Sequence, residues 1–301
     1  MTTSAIVFSK DRPLQLHATL SSYYRHALDA EEASLYVIYK ATSVEFAKGY
    51  SLIKTELPPT IKWIQETNFK HNLLDAIHYS HCGSGLLDQL LSVISNKIFP
   101  TSSFSCTSIL FMVDDTIFTG PFSLLQINNL LLEHPDSIGF SLRLGRNTTY
   151  CYSHGSIQQL PSFIILDQAL KFHWLGQSGD FGYPLEISSS VYRTTDIAFL
   201  LRKSRYINPN QLEQCLSAST KLLNEKHNSL LCFSQSVAFS TPINKVQSIY
   251  DNKSGSNDAY SSHALNMLLL GGHRIDIAKF TGYISNGAHQ EVVLPFTIKD
   301  Y

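Results

Sequence analysis

Apolar and polar positions repeat with two periods along the first half of the chain. Ala5-Ile6-Val7-Phe8-Ser9 is a continuous apolar run that reads as a buried strand, and Leu14 to Tyr24 follows with helical spacing. Leu35-Tyr36-Val37-Ile38-Tyr39 predicts a second strand, with a short helix over Val44–Ile53 after it, and Ile61-Lys62-Trp63-Ile64 predicts a third. Apolar positions at Leu86, Leu87, Leu90, Leu91 and Ile94 predict a helix leading to a fourth strand at Ser108–Val113. Ser137–Leu142 predicts a fifth. Strands without polar alternation, separated by helices, predict a mostly parallel sheet covered on both faces, an α/β fold of three layers. From about Asn147 the pattern is less regular and richer in Ser, Gly and Asn, with a strand expected over Leu231–Phe239 and a helix over Ser261–Leu270. Neither an internal repeat nor a low-complexity linker interrupts the chain. One domain over residues 1–301 is expected, an N-terminal nucleotide-binding half (1–146) and a C-terminal half (147–301) that completes the site.

Composition narrows the class. At 301 residues and 44% hydrophobic, the chain buries a large core without needing a disulfide or metal. Lys and Arg number 23 against 24 Asp and Glu, with a pI near 6.9. That balance lacks the basic stripe of a nucleic-acid binder. The five cysteines (Cys82, Cys106, Cys151, Cys215, Cys232) are scattered without a C-x-x-C pair, which excludes a zinc ribbon and predicts free thiols. Met1–Phe8 lacks a signal-peptide pattern and no stretch of 18 apolar residues occurs, so the expected protein is cytoplasmic and without a transmembrane helix. Peripheral membrane association and oligomeric state stay open.

In parallel sheets the ligand site lies outside the carboxyl ends of the strands. Three polar clusters fall there: Ser9-Lys10-Asp11-Arg12-Pro13, Lys40-Ala41-Thr42 and Asp114-Asp115-Thr116. Strand neighbours point to opposite faces, so Asp114 and Asp115 meet one ion only if the strand ends and the chain turns. Carboxylates at such a turn suit Mn²⁺ or Mg²⁺, which take oxygen ligands; the other reading is a strand-ending turn that caps a helix. Arg12 at a helix start suits a phosphate or a uracil edge, or is a surface helix start. Lys70 reads as a solvated lysine or as a neutraliser of diphosphate. Gly182–Ser188 with Tyr192–Ile197 predicts an ordered loop opening a helix, a structural loop or one that receives an acceptor. Asp258, before the helix at Tyr260–Leu270, caps that helix or faces a pocket. The 12 histidines form no H-x-x-x-H or H-E-x-x-H pair, which excludes a zincin; His289 alone is singled out. No Walker A, G-x-S-x-G or G-x-G-x-x-G sequence is present.

The order of these segments resembles nucleotide-sugar glycosyltransferases of the GT-A fold. An Asp-Asp-x after the fourth strand is followed by Ile117-Phe118-Thr119-Gly120-Pro121 and a helix ending in His134-Pro135-Asp136. Within these enzymes the chain most resembles the exostosin-like N-acetylhexosaminyltransferase type, with Val113 standing where that type has its first aspartate. The resemblance implies Asp115 as a ligand of Mn²⁺ or Mg²⁺, with Asp114 orienting the ribose or the metal's water shell. It implies nucleotide contacts from Ser9 and Arg12, a carboxylate beside the reacting sugar at Asp258, and His289 completing the metal shell. The donor implied is a nucleotide-diphosphate sugar, UDP-linked, and the acceptor a glycan or other hydroxyl, as in polysaccharide biosynthesis; exostosin-like enzymes retain configuration. Two rivals stand beside it. One is a degenerate sugar- or protein-binding module of the same fold, for which the Val113 departure and a lost second acid near Asp258 speak. The other is a nucleotidyltransferase, although Ser9–Pro13 contains no glycine.

Overall fold

The first four strands, β1 (Thr3–Lys10), β2 (Ala33–Lys40), β3 (Lys62–Gln65) and β4 (Ser108–Val113), run parallel in the order 3-2-1-4 in a computed structural model. The structure describes residues 2–78, 106–223, 226–245 and 260–299. β1 is buried from Thr3 to Ser9, and its side chains divide by parity. Ala5 and Val7 pack with Leu14 and Leu20 of α1 (Pro13–His26) and with Tyr50 and Ile53 of α2 (Val44–Glu56). Ile6 and Phe8 pack on the other face with Leu73 and Ile77 of α3 (Phe69–His78). A strand covered by helices on both sides needs apolar residues at both parities, which is why its run is unbroken.

The helices start where local chemistry lets them. Pro13 occupies the first turn of α1, where a missing N–H is no loss. The Ser43 hydroxyl accepts the Phe46 N–H at 3.4 Å to open α2, and Ser123 accepts that of Gln126 at 3.1 Å to open α4 (Leu124–Glu133).

The remaining strands are β5 (Thr116–Phe118), β6 (Ser137–Ser141), β7 (Tyr150–Cys151), β8 (Ser156–Ile157), β9 (Ile164–Ile165), β10 (Leu170–His173), β11 (Ser189–Arg193), β12 (Ser229–Cys232), β13 (Ala238–Ser240), β14 (His273–Ile275) and β15 (Phe296–Ile298). Five of them extend the sheet to nine strands in the order 3-2-1-4-11-6-12-10-9, with β10 and β11 reversed. α5 (Thr194–Lys203) and α6 (Pro209–Ala218) pack on the α3 face, and α7 (Ser262–Leu270) on the α1 face. The expected α/β architecture with a large, mostly parallel central sheet is present. Because β11 runs backwards, its amino end meets the carboxyl ends of β4 and β6: Ser189 pairs with Met112, and Ser190 with Ser141.

Two expectations change, and a third falls on residues the structure does not describe. The strand over Leu231–Phe239 is two strands: β12 stays beside β6, while β13 pairs with β5 in a separate ribbon. Gly182–Ile197 is not simply a loop opening a helix, since β11 lies within it. The helix around Leu86–Ile94 lies outside the described residues. Cys106, Cys151, Cys215 and Cys232 are free thiols, as expected, and Cys82 is outside the described residues. Among the described residues no helix is long and apolar enough to cross a membrane.

Candidate active site

β1 and β4 end side by side, and the chain turns immediately after each. Among the described residues Asp11 is the single non-glycine residue with positive φ, at 53°; aspartate tolerates this conformation better than most side chains. Its carboxylate accepts the Thr42 N–H at 2.7 Å and the Thr42 hydroxyl at 2.8 Å, tying the turn after β1 to the turn after β2. Arg12 is thereby carried back over the end of β4. Its Nη1 donates to Asp114 Oδ1 at 3.0 Å and to Asp115 Oδ2 at 3.3 Å, and its Nη2 donates to the Asn244 carbonyl. Asp114 also accepts the Lys10 N–H at 3.2 Å. Ser9 Oγ lies 2.7 Å from Tyr50 Oη, which accepts the Arg12 N–H at 3.3 Å.

Burial raises the Asp115 carboxyl to about 6, with Arg12 opposing the rise and Asp114 adding to it. Burial raises Asp114 as well, against the pull of Arg12. The Asp114-Asp115 pair is a strand-ending turn and Arg12 does stand at a helix start, but the turn caps no helix and Arg12 is not on the surface. A strand, not a helix, follows Asp115, and the Arg12 side chain is only 11% exposed.

A second cluster forms on the same edge. Arg143 follows the carboxyl end of β6, and Glu186 precedes the amino end of the reversed β11. Arg143 Nη2 donates to Glu186 Oε2 at 2.8 Å, and both side chains are buried. Arg143 Nη1 donates to Ser240 Oγ at 3.3 Å and lies 3.1 Å from His289 Nε2. A guanidinium has no acceptor, so His289 Nε2 accepts and its neutral ring carries the proton on Nδ1. Burial and Arg143 together push His289 down to about 3. A parallel bridge between Ser240 and His289 delivers the imidazole, and Ser240 itself pairs with Thr116, next to Asp115. Glu213 of α6 accepts the Ile187 N–H at 3.2 Å; burial and then Glu186 raise its carboxyl to about 7, with Arg143 opposing. The charge of Arg143 reaches Asp115 as well, so the two clusters share one field.

The structure brings Ser9, Arg12, Asp114 and Asp115 together, and it places His289 in the neighbouring cluster. Lys70 is elsewhere. Its Nζ donates to the carbonyls of Arg202 and Ser204, each at 2.7 Å, and lies 5.4 Å from the centre of the Tyr206 ring. It is thus not a solvated lysine: it caps the end of α5, whose last carbonyls need donors. Asp258 lies outside the described residues.

For a divalent cation, Asp114 and Asp115 offer the oxygen donors that Mn²⁺ and Mg²⁺ take, and the positive group they hold here is the Arg12 guanidinium. Asp115 fits as a ligand. His289 does not fit in this arrangement, because its Nε2 lone pair is engaged by Arg143 and a fixed positive charge stands beside it. Among the described residues no three His, Cys, Asp or Glu side chains converge to hold an ion by themselves. Sequence reasoning missed Tyr50, Asn244, Arg143, Glu186 and Glu213. Arg143 had a signal, since it sits just past the fifth predicted strand; Glu213 and Asn244 had none.

No protein-family model matches the chain. It is 24% identical over 278 residues to the bifunctional glycosyltransferase pgtA of Dictyostelium discoideum, a match covering 82% of this chain. The chain spans about a third of that curated relative, 32% of its length. Among solved structures it is similar to S. aureus TarS 1-349 in complex with UDP-GlcNAc, at 13% identity and a TM-score of 0.45, covering 81% of this chain and 60% of that one. It is also similar to the apo form of mouse xyloside xylosyltransferase 1, at 15% identity and a TM-score of 0.31, covering 71% and 74%.

Proposed function

We propose that this chain is a glycosyltransferase domain of GT-A type that binds a nucleotide-diphosphate sugar, UDP-linked, and transfers the hexosyl or N-acetylhexosaminyl unit to a glycan or other hydroxyl. The observation that carries the reading is the Arg12–Asp114–Asp115 constellation. It joins a guanidinium and two carboxylates from the turns after β1 and β4, at the edge where open α/β sheets bind ligands. The name of the Dictyostelium relative agrees with it.

Arg12 holds its carboxylates at 3.0 and 3.3 Å, and its Nε–H is buried without a partner among the described residues. That spare donor, with a fork able to exchange carboxylate for phosphate, suits the donor diphosphate. Ser9 and Tyr50 fix the backbone from which Arg12 reaches. Asp115 would hold Mn²⁺ or Mg²⁺, with Asp114 oriented toward the ribose or the ion's water; the ion when bound supplies Lewis-acid stabilisation of the departing diphosphate. His289 would enter that shell only on release from Arg143, and Asp258 is proposed as the acid beside the reacting sugar.

Calorimetric titration of UDP with and without Mn²⁺ tests the reading. Wild type binds more tightly with Mn²⁺, Asp115→Asn loses that difference, and Arg12→Ala weakens UDP by ~1.5–3 kcal/mol, the value of a charge-assisted contact. Equal affinity of Asp115→Asn and wild type in Mn²⁺ removes the metal assignment. A preference for nucleoside triphosphate over UDP points to nucleotidyl transfer instead.

A further inference from the structure

The second cluster holds two carboxyl groups in different circumstances, and the donor-binding reading uses neither. Glu186 is saturated: Oε2 accepts Arg143 Nη2 at 2.8 Å and the Ser188 N–H, and Oε1 accepts the Ser190 hydroxyl. Glu213 receives one backbone donor, the Ile187 N–H at 3.2 Å on Oε1, and among the described residues its Oε2 accepts no hydrogen bond. The charged and titratable groups facing Glu213 are Glu186, Arg143, Tyr183 and Tyr192. Burial raises both phenols, so they stay neutral. Two carboxyls therefore face one guanidinium, whose hydrogen bond goes to Glu186. At about 7, Glu213 exchanges its proton near neutral pH, the range in which a base both accepts and releases one.

Position agrees with chemistry. Glu213 is anchored to Ile187, two residues before β11 begins, and the start of β11 pairs with the end of β4, which carries Asp114 and Asp115. Arg143 acts electrostatically on both Glu213 and Asp115. A carboxyl oxygen with an unspent lone pair is thus tied to the sheet edge that carries Asp115.

We propose that Glu213 is the general base of the transfer, taking the proton of the acceptor hydroxyl as that oxygen attacks the sugar. The acceptor oxygen forms its bond to the anomeric carbon. The bond from that carbon to the diphosphate oxygen breaks, and its electron pair leaves with the diphosphate. The hydroxyl proton passes to Glu213 Oε2 and from there to solvent. Attack opposite the leaving group inverts the anomeric configuration. The assignment rests on the donor-binding reading above.

The test uses the full chain with UDP-GlcNAc and UDP-Glc, water serving as acceptor, with hydrolysis followed by NMR. Glu213→Gln lowers kcat ~100-fold or more, the scale of lost general-base assistance, while UDP affinity is unchanged. In wild type kcat/KM rises with pH through about 7 as Glu213 ionises, and this limb is absent from the Gln variant. Glu213→Asp, which keeps a carboxyl, retains the limb at reduced kcat and serves as the second variant if Gln does not fold. Turnover of Glu213→Gln equal to wild type, with UDP still bound, overturns the base alone. Retention of configuration in the released sugar does the same. Failure of wild type to bind UDP at all overturns the donor reading and this assignment with it.

Discussion

Two arginines, Arg12 and Arg143, stand among carboxylates on the same sheet edge, yet their clusters are built differently. Arg12 is held at 3.0 and 3.3 Å by two residues on a single turn and by a backbone carbonyl. Arg143 is held at 2.8 Å by a carboxylate whose other acceptor positions are filled by Ser188 and Ser190, and it is pinned again by Ser240 and His289. The first guanidinium takes both of its carboxylates from one turn, and among the described residues each guanidinium has a buried Nε–H without a partner. The second is a post held by Glu186, Ser240 and His289 from three separate segments of the chain.

Removing the post is the harshest way to break that contrast. Arg143→Met leaves Glu186 buried and unpaired, and urea denaturation should show a loss of ~3–5 kcal/mol, the scale for breaking one side of a buried pair. Arg12→Met should lose ~1–3 kcal/mol, because Asp114 keeps the Lys10 N–H and the Asn244 carbonyl is a weaker partner than a carboxylate. Equal losses would mean that both arginines are structural.

A milder perturbation is pH. Glu213 titrates at about 7 in the folded chain against 4.5 for a free glutamate, so the folded state holds the proton more tightly. Its contribution is complete below about 4.5 and is lost as pH rises through about 7. Glu213→Gln, which mimics the protonated form, should match wild type in thermal midpoint near pH 5 and exceed it at pH 8. A constant difference across that range would place the carboxyl in open solvent. The smallest effect expected belongs to Lys70→Met: UDP affinity unchanged in calorimetry, with a modest loss of stability from the uncapped end of α5. A fall in UDP affinity would return Lys70 to the nucleotide.

The difference between the clusters also explains how much of each was legible in the sequence. Ser9, Arg12, Asp114 and Asp115 stand directly after long apolar runs, and the rule that ligands gather at the carboxyl ends of parallel strands acts on that local pattern. The three layers were legible for the same reason, through the unbroken apolar run of β1. The Arg143 cluster draws on residues 143, 186, 213, 240 and 289, joined by a reversed strand whose direction leaves no trace in residue order. Leu231–Phe239 shows the same limit. Period-two alternation does not distinguish one strand from two that serve different sheets, and Phe233–Val237 is where the chain departs. Lys70 marks a third kind of limit, since an amine at a helix start reads alike whether it faces phosphate or the carbonyls of a neighbouring helix.

The reversed β11 bears on how the protein is made. In sheet order it stands between β4 and β6, so the four N-terminal strands and the C-terminal strands have no common neighbour without it. A nascent chain emerges N-terminus first, and β1 to β4 are complete long before Arg193 leaves the ribosome. Until then β4 presents an unpaired edge, and a buried apolar strand with an open edge is a template for association with other chains. The residues that close that edge directly follow the segment that brings Glu186 beside Arg143. Capping the exposed edge during synthesis and bringing Glu186 beside Arg143 are therefore one event.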